Sequence, residues 1–227
     1  METEKVGKRK YSINKDRSLV ILKSTLSRLP IYYCYLQEVF EQGIEYISSA
    51  TIAESLTLNP VQVRKDLASV STAPGRPKKG FRTEQLLTDM KSYLGYDNFD
   101  EAVLVGVGGL GHTLLQYPGF SSYGLDIVAG FDSNEMLHGK RVGGKPVLSM
   151  NKFASFVKRL HISVGIIAVP SPQAQAVADL MVESGIRAIW NFAPTHINLP
   201  HGVLIKNENL AASLAVLSYE LSRKNQK

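Results

Sequence analysis

The hydrophobic pattern of this 227-residue chain changes its period partway along. Residues 1–18 are polar, charged and aperiodic, the composition of a disordered arm. From Leu19 onward Leu22, Leu26, Leu29, Tyr32, Tyr33, Leu36, Val39 and Phe40 recur at three- and four-residue steps. That is the period of one amphipathic helix or two, with Pro30 opening the main one and Gly43 closing it. A further helix is predicted over Ser49–Leu56, capped by Ser48 or Ser49 or by the box spacing of Thr51 and Glu54. Asn59 as N-cap and Pro60 at the first helical position then open a helix through Val61–Leu67. Residues 71–82 are rich in Pro, Gly and basic residues and read as a loop. Gln85, Leu86, Leu87, Met90, Tyr93 and Leu94, closed by Gly95, read as one amphipathic helix joining this region to the next.

Beyond residue 100, strand-like runs alternate with helical ones. Ala102–Val105, Ile127–Phe131, Val164–Val169, Ala188–Phe192 and Val203–Ile205 are short apolar runs. Between them, helical faces are carried by Leu114 and Leu115, by Phe153, Phe156, Val157 and Leu160, and by Ala174–Glu183, while Gly143-Gly144-Lys145-Pro146 marks a loop. Such alternation predicts an α/β fold with a parallel sheet and helices on both faces. Ligands of such sheets bind at the carboxyl ends of the strands, here Gly106–Gly111, Asp132, Val169-Pro170 and Asn191–Pro194. A last helix over Glu208–Arg223 carries Leu210, Leu214, Leu217 and Leu221 on one stripe, which must dock on its own domain or on a partner's.

The first strand runs into Gly106-Val107-Gly108-Gly109-Leu110-Gly111, a GxGxxG turn opening a helix. The first glycine permits the turn, the second lets a pyrophosphate approach the backbone, and the third lets helix and strand pack closely. The helix N-terminus supplies free N–H groups and a partial positive charge. The second strand ends at Asp132, about 20 residues past the last glycine, where an acid would grip a ribose 2′-hydroxyl. That acid would repel a 2′-phosphate, and Ser133-Asn134 offers no arginine to receive one, so NAD(H) is favoured over NADP(H).

Charge adds a partner for the N-terminal third. The net charge is +6; residues 1–82 hold 14 Lys and Arg against 8 Asp and Glu, while residues 83–227 hold 12 of each. Such asymmetry points to a polyanion for the first region and not for the second. Two short helices with Gln62, Arg64 and Lys65 near the start of the second have helix-turn-helix organisation, in which those residues reach base edges or phosphates of double-stranded DNA. The loop that follows stands where a winged-helix domain carries its wing. Its Gly75-Arg76-Pro77-Lys78-Lys79 is similar to segments that insert an arginine into an A·T-rich minor groove, which makes Arg76 and Lys78 candidate DNA contacts. Cys34 is the single cysteine, which excludes disulfides within the chain. No apolar run reaches membrane-spanning length and the start has no secretory signal, so the expected address is cytoplasmic. No pair of histidines has metal-ligand spacing, and no catalytic set stands out; an NAD-dependent oxidoreductase would need a substrate domain that residues 100–207 leave no room for.

These motifs together resemble one family. Leu29-Pro30 with Tyr32-Tyr33, Gln62–Leu67, the glycine turn, Tyr117-Pro118-Gly119-Phe120, Ala168-Val169-Pro170, Asn191-Phe192-Ala193-Pro194 and the last helix are similar, in order and spacing, to the Rex redox-sensing transcriptional repressors. The resemblance implies a basic arm (1–18), a winged-helix domain (19–82), a linker helix (83–99), a Rossmann NAD(H)-binding domain (100–207) and a C-terminal helix (208–227) exchanged across a homodimer. It implies a repressor of A·T-rich palindromic operators, released by NADH and not by NAD⁺. By the same resemblance Gly106, Val107, Gly108, Gly109, Leu110 and Gly111 line the pyrophosphate and Asp132 meets the adenosine ribose. Val169, Pro170 and Asn191 lie near the nicotinamide, and Tyr117 contributes on the dimer-facing side. Two departures stand out: Cys34 replaces an arginine and Asn209 replaces an acid that the family pairs as a ligand-dependent salt bridge. A relative that binds DNA with an altered or absent NADH response is therefore the alternative reading.

Overall fold

The computed structural model describes residues 23–98 and 100–224, and the expected basic arm lies outside the described residues. The chain divides into two units, with the boundary after Gly95.

The first unit is helical. Helix α1 (Lys23–Glu41) buries Leu29, Tyr32, Leu36 and Val39. A two-residue strand β1 (Tyr46–Ile47) follows, then α2 (Ser49–Ser55) and α3 (Pro60–Val70). Ser48 is the α2 cap, accepting the Thr51 amide at 3.0 Å, and Asn59 caps α3 by accepting the amides of Val61 and Gln62. Val63, Leu67 and Val70 bury the inner face of α3, which runs a turn further than the sequence predicts. Pro30 does not open a helix: α1 passes through it. Side chains on both sides of the proline hold the helix together, because Thr25, Arg28 and Tyr32 all converge on Asp66 of α3.

Asp66 is 2% exposed and lies on the same face of α3 as Val63, Leu67 and Val70. Arg28 donates to both of its oxygens, at 2.8 and 3.0 Å. The Tyr32 hydroxyl donates at 2.9 Å, Thr25 Oγ1 at 3.1 Å and Gln62 Nε2 at 2.9 Å. Burial alone would push the Asp66 carboxyl up; hydrogen bonds from Arg28, Gln62, Tyr32 and Thr25 together hold it below the usual carboxylate range. Burial, with Asp66 beside it, raises the Tyr32 hydroxyl to about 12.

The loop after α3 is an ordered hairpin rather than a loose connection. Arg76 and Gly80 pair as an antiparallel bridge, and strand β2 (Phe81–Arg82) pairs antiparallel with β1. Its base is fixed by Asp89 of α4 (Thr83–Leu94), which accepts from the Thr72 amide at 2.7 Å and from its hydroxyl. Helix α4, expected as a linker, is the last helix of this unit. Leu86, Asp89 and Met90 are buried, and Gly95 ends it in the left-handed conformation.

The second unit is a seven-stranded sheet in the order β5-β6-β4-β3-β7-β8-β9. Its strands are β3 (Asp100–Val105), β4 (Leu125–Asp132), β5 (Arg141–Val142), β6 (Lys145–Ser149), β7 (Val164–Ile167), β8 (Ala188–Asn191) and β9 (Leu204–Asn207). All pair in parallel except β5 with β6. The order reverses beside β3, as in a dinucleotide-binding fold. Helices α5 (Gly109–Gln116), α6 (Phe153–Leu160) and α7 (Ser171–Ser184) connect parallel strands. One apolar layer is built on Phe131, Phe153, Ile167 and Met181, the other on Leu104, Leu115, Ile127 and Ile166. Gly143-Gly144, expected as a plain loop, is the tight turn of the β5–β6 hairpin, both glycines having positive φ. The sequence reading missed β6 because Pro146 interrupts its apolar run. Helix α8 (Leu210–Lys224) leaves Leu214, Leu217, Tyr219 and Leu221 exposed.

Asp66→Ala leaves Arg28, Tyr32 and Thr25 without their acceptor and should destabilise the first unit by about 3 kcal/mol. Trp190, the single tryptophan, lies in the second unit. In urea titrations, far-UV circular dichroism should therefore show an early transition that Trp190 fluorescence does not. Because the Asp66 carboxyl is held below its usual range, its contribution is present above the unfolded pKa and lost as pH falls through the folded one. The gap between wild type and Asp66→Asn should thus be full at pH 6 and shrink below about pH 4.

Candidate functional site

At the carboxyl edge of the sheet, backbone hydrogen bonds lace successive strand ends together. Gly106 N–H donates to the Phe131 carbonyl at 2.8 Å, Ala168 N–H to Val105 at 2.9 Å, and Phe192 N–H to Ile167 at 2.9 Å. Gly106, Asp132, Val169-Pro170 and the loop after Asn191 are thereby set along one edge.

The glycines of the turn have different surroundings. Gly106 has φ +98°, and a Cβ there would lie 2.6 Å from the Ala168 carbonyl oxygen and 2.8 Å from Val169 Cγ1. A Cβ on Gly111 would collide with the carbonyl of Gly106. A Cβ on Gly108 or Gly109 would meet nothing within 4 Å. Two glycines are therefore demanded by the protein's own packing, while Gly108 and Gly109 face open space that a ligand can enter. The first helical hydrogen bond runs from His112 N–H to the Gly108 carbonyl. The amides of Gly109, Leu110 and Gly111 precede that ladder and have no acid in the first turn to compete for them. These residues fit a dinucleotide pyrophosphate.

Asp132 ends β4 beside the turn. Its Oδ2 accepts the Val107 amide at 2.7 Å and its Oδ1 the Asn134 amide at 2.8 Å. Val107 is itself buried, and its N–H is spent on Asp132, so its part is to fix the acid rather than to meet a phosphate. Each carboxylate oxygen keeps a lone pair for a ribose hydroxyl.

Two further residues named from the sequence are engaged within the chain. Asn191 is fully buried, and its side chain is used internally. It donates to the carbonyls of Ala193 and Thr195 and to Asn207 Oδ1, and accepts the Ala193 amide. It shapes the 191–195 loop and has no face to offer a ring. Tyr117 stands at the far end of α5, about 12 Å along the helix from Gly109. Its half-exposed ring packs edge-on against Phe120, which packs on Trp190, so within one chain it is not part of the glycine turn. The Trp190 indole donates to Glu208 Oε1 at 3.0 Å. The aromatic array has no sequence signal, since Trp190 lies 70 residues from Phe120.

In the first unit, an open groove of about 920 Å³ lies between α3 and the hairpin, with Ser48, Arg64, Ala68, Thr72, Arg76 and Lys78 among its walls. Arg64 and Lys65 are exposed on α3. Gln62 is exposed, but its amide nitrogen is held by Asp66. Lys78 sits at the hairpin tip with φ +63°, an uncommon conformation for a lysine. The groove brings Arg64 together with Arg76 and Lys78, while Lys65 lies outside its lining. Among the described residues, no group of three or more His, Cys, Asp or Glu could hold a metal, and no helix is long and apolar enough to cross a membrane.

The glycines separate fold from ligand. Gly108→Val should leave the midpoint of Trp190-monitored unfolding within error of wild type and abolish dinucleotide binding measured by calorimetry. Gly111→Val should lose the folded second unit, since the new side chain has only backbone to displace.

Comparison with known proteins agrees with both units. Residues 98–195 match the family described as "CoA binding domain", and residues 21–68 the family described as "Putative DNA-binding protein N-terminus". The redox-sensing transcriptional repressor Rex of Treponema denticola is 38% identical over 200 residues, covering 88% of this chain and 95% of its own. That of Porphyromonas gingivalis is 39% identical over 193 residues, covering 85% and 88%. Among solved structures, RSP, a Rex-family repressor, in complex with β-NAD⁺ and operator DNA, is similar with a TM-score of 0.83 at 30% identity, covering 91% of this chain and 94% of that one. RSP in complex with β-NADH gives 0.82, covering 91% and 97%. With such identity spread over both units, this chain belongs to the Rex family of redox-sensing transcriptional repressors.

Proposed function

We propose that the protein is a transcriptional repressor that binds a palindromic A·T-rich operator as a homodimer and is released from it by NADH. The observation that carries this reading is the pairing, in one chain, of a cation-walled groove beside an exposed helix with a glycine turn left open at Gly108. Relatives known as redox-sensing repressors, and RSP with its operator DNA, NAD⁺ and NADH, support it.

In this reading Arg64 and Lys65 meet base edges or phosphates in the major groove. Gln62 offers its carbonyl oxygen, its amide nitrogen being held by Asp66. Arg76 and Lys78 of the hairpin reach the flanking minor groove. In the second unit the amides of Gly109, Leu110 and Gly111 hold the pyrophosphate, with Gly106 and Gly108 giving it room. Asp132, steadied by the Val107 amide, takes the adenosine ribose and selects NAD(H) over NADP(H). Val169 and Pro170 border the nicotinamide end, and Asn191 fixes the neighbouring loop. When bound, the dinucleotide supplies a ring that is cationic in NAD⁺ and neutral in NADH. The exposed leucines of α8 are covered by the second copy, and Tyr117 faces that copy. In this reading the protein senses the nucleotide without turning it over, as its relatives named redox-sensing transcriptional repressors suggest. It works in the cytoplasm, where operator and nucleotide pool meet.

Release requires that NADH bind the DNA-free dimer more tightly than the DNA-bound one; equal affinities shift nothing. One observation favours a second reading, in which NADH acts weakly or not at all. Asn209 caps α8 with Oδ1, accepting the Ala212 amide at 3.0 Å, a role that needs no charge. With Cys34 at the other position, the family's ion pair cannot form between these two residues.

Fluorescence anisotropy of a labelled A·T-rich palindromic duplex, at fixed salt and half-saturating protein, tests the proposal. NADH should release the duplex and NAD⁺ should not. Release by neither would establish the second reading, and no binding to any duplex would overturn both. Arg64→Ala should weaken operator binding by about 1–3 kcal/mol in the same assay.

A further inference from the structure

Tyr46 lies in β1, outside the set of residues assigned above to DNA. We propose that it is the positioning residue of the wing: its ring and hydroxyl hold Arg76 in a preset pose, so that an A·T-rich minor groove is met by an arginine already ordered. The proposal rests on the DNA-binding reading of the first unit.

Three observations carry it. Arg76 Nη1 donates to the Tyr46 hydroxyl oxygen at 2.9 Å, and the guanidinium carbon stands 5.4 Å from the centre of the Tyr46 ring. Lys79 Nζ stands 5.4 Å from the same ring, so a single aromatic gathers two cations of the hairpin. The backbone beneath is pinned to the same strand. Arg76 and Gly80 exchange hydrogen bonds at 2.7 and 2.9 Å, and Gly80, with φ +85°, packs so closely on the Ile47 carbonyl that a Cβ would collide with it. Both ends of the Arg76 side chain are thus referred to β1, its backbone through Gly80 and its head group through Tyr46.

The physical consequence follows from side-chain entropy. An exposed arginine samples many rotamers and loses them on entering a groove. A guanidinium already seated on a ring has lost part of that freedom before binding. The bond to Tyr46 takes one of five N–H donors, leaving others for thymine O2, adenine N3 or phosphate.

A double-mutant cycle on the full-length protein tests this by anisotropy, using one palindrome flanked by A·T tracts and a second flanked by G·C. Tyr46→Phe removes the hydroxyl and keeps the ring; Tyr46→Ala removes both. Tyr46→Phe should weaken binding to the A·T-flanked duplex about threefold and Tyr46→Ala about tenfold, as loss of one exposed hydrogen bond and of a cation–π contact would give. In an Arg76→Ala background Tyr46→Phe should change nothing, and on the G·C-flanked duplex its effect should disappear. Thermal unfolding of Tyr46→Phe should match wild type, which separates positioning from support of the fold. An equal loss in both backgrounds would overturn the proposal and make Tyr46 a direct contact. If Arg76→Ala weakens binding while Tyr46→Phe does not, positioning is overturned and the DNA reading stands. If Arg76→Ala itself has no effect on either duplex, the assignment of the hairpin to DNA falls, and the proposal with it.

Discussion

Everything at the ligand edge of the second unit depends on the backbone passing Gly106 in a conformation open to glycine and little else. At positive φ the chain packs so closely on the Ala168 carbonyl that a Cβ would collide with it, and the Gly106 carbonyl in turn leaves no room for a Cβ on Gly111. That double contact sets where α5 starts. It also puts the Val107 amide against Asp132, so the acid at the end of β4 is fixed by the same turn that opens the helix. Moving any one of these would move the helix N-terminus and the acid together, and the spacing between the two is thereby held constant.

The first unit solves a comparable problem with a charge. Asp66 takes a place in the apolar stripe of α3 and gathers donors from both sides of Pro30 in α1. A hydrophobic residue there would pack, but it would not specify the rotation of α3 about its axis. Four hydrogen bonds donated from α1 do specify it, and with it the direction in which Arg64 and Lys65 project. Asp89 plays the matching part for the hairpin by fixing Thr72.

Much of this was legible in the sequence because local rules and tertiary structure agree. The cap at Asn59, the glycine turn, the strand ending in Asp132 and the amphipathic faces of α3 and α4 each follow from spacing alone, while at α2 spacing leaves Ser48 as one of three candidate caps. The errors share a cause. Pro30 reads as a helix opener because its local effect is unfavourable inside one, and tertiary contacts, the buried face of α1 and the bonds to Asp66, offset that. Lys145-Pro146 reads as the end of a loop because proline hides the start of a strand that lies near the sheet edge. Asn191 is placed near the nicotinamide by the family resemblance, and its internal hydrogen bonds, which shape the 191–195 loop, have no signal in the sequence. Asp66 could have been found, since it falls at position i+3 between Val63 and Leu67. Tyr46 could not, because its partners are 30 and 33 residues away and meet it only once the hairpin has folded.

The uncovered leucines of α8 have a consequence for gene dosage. A surface of this kind, satisfied by a second copy, ties the protein's stability to its own abundance. In the homodimer proposed above, a chain without a partner would keep Leu214, Leu217 and Leu221 bare, and a paired chain would cover them. Operator occupancy would then rise more steeply than the number of chains, and a modest change in synthesis would set how sharply the regulated genes turn on and off.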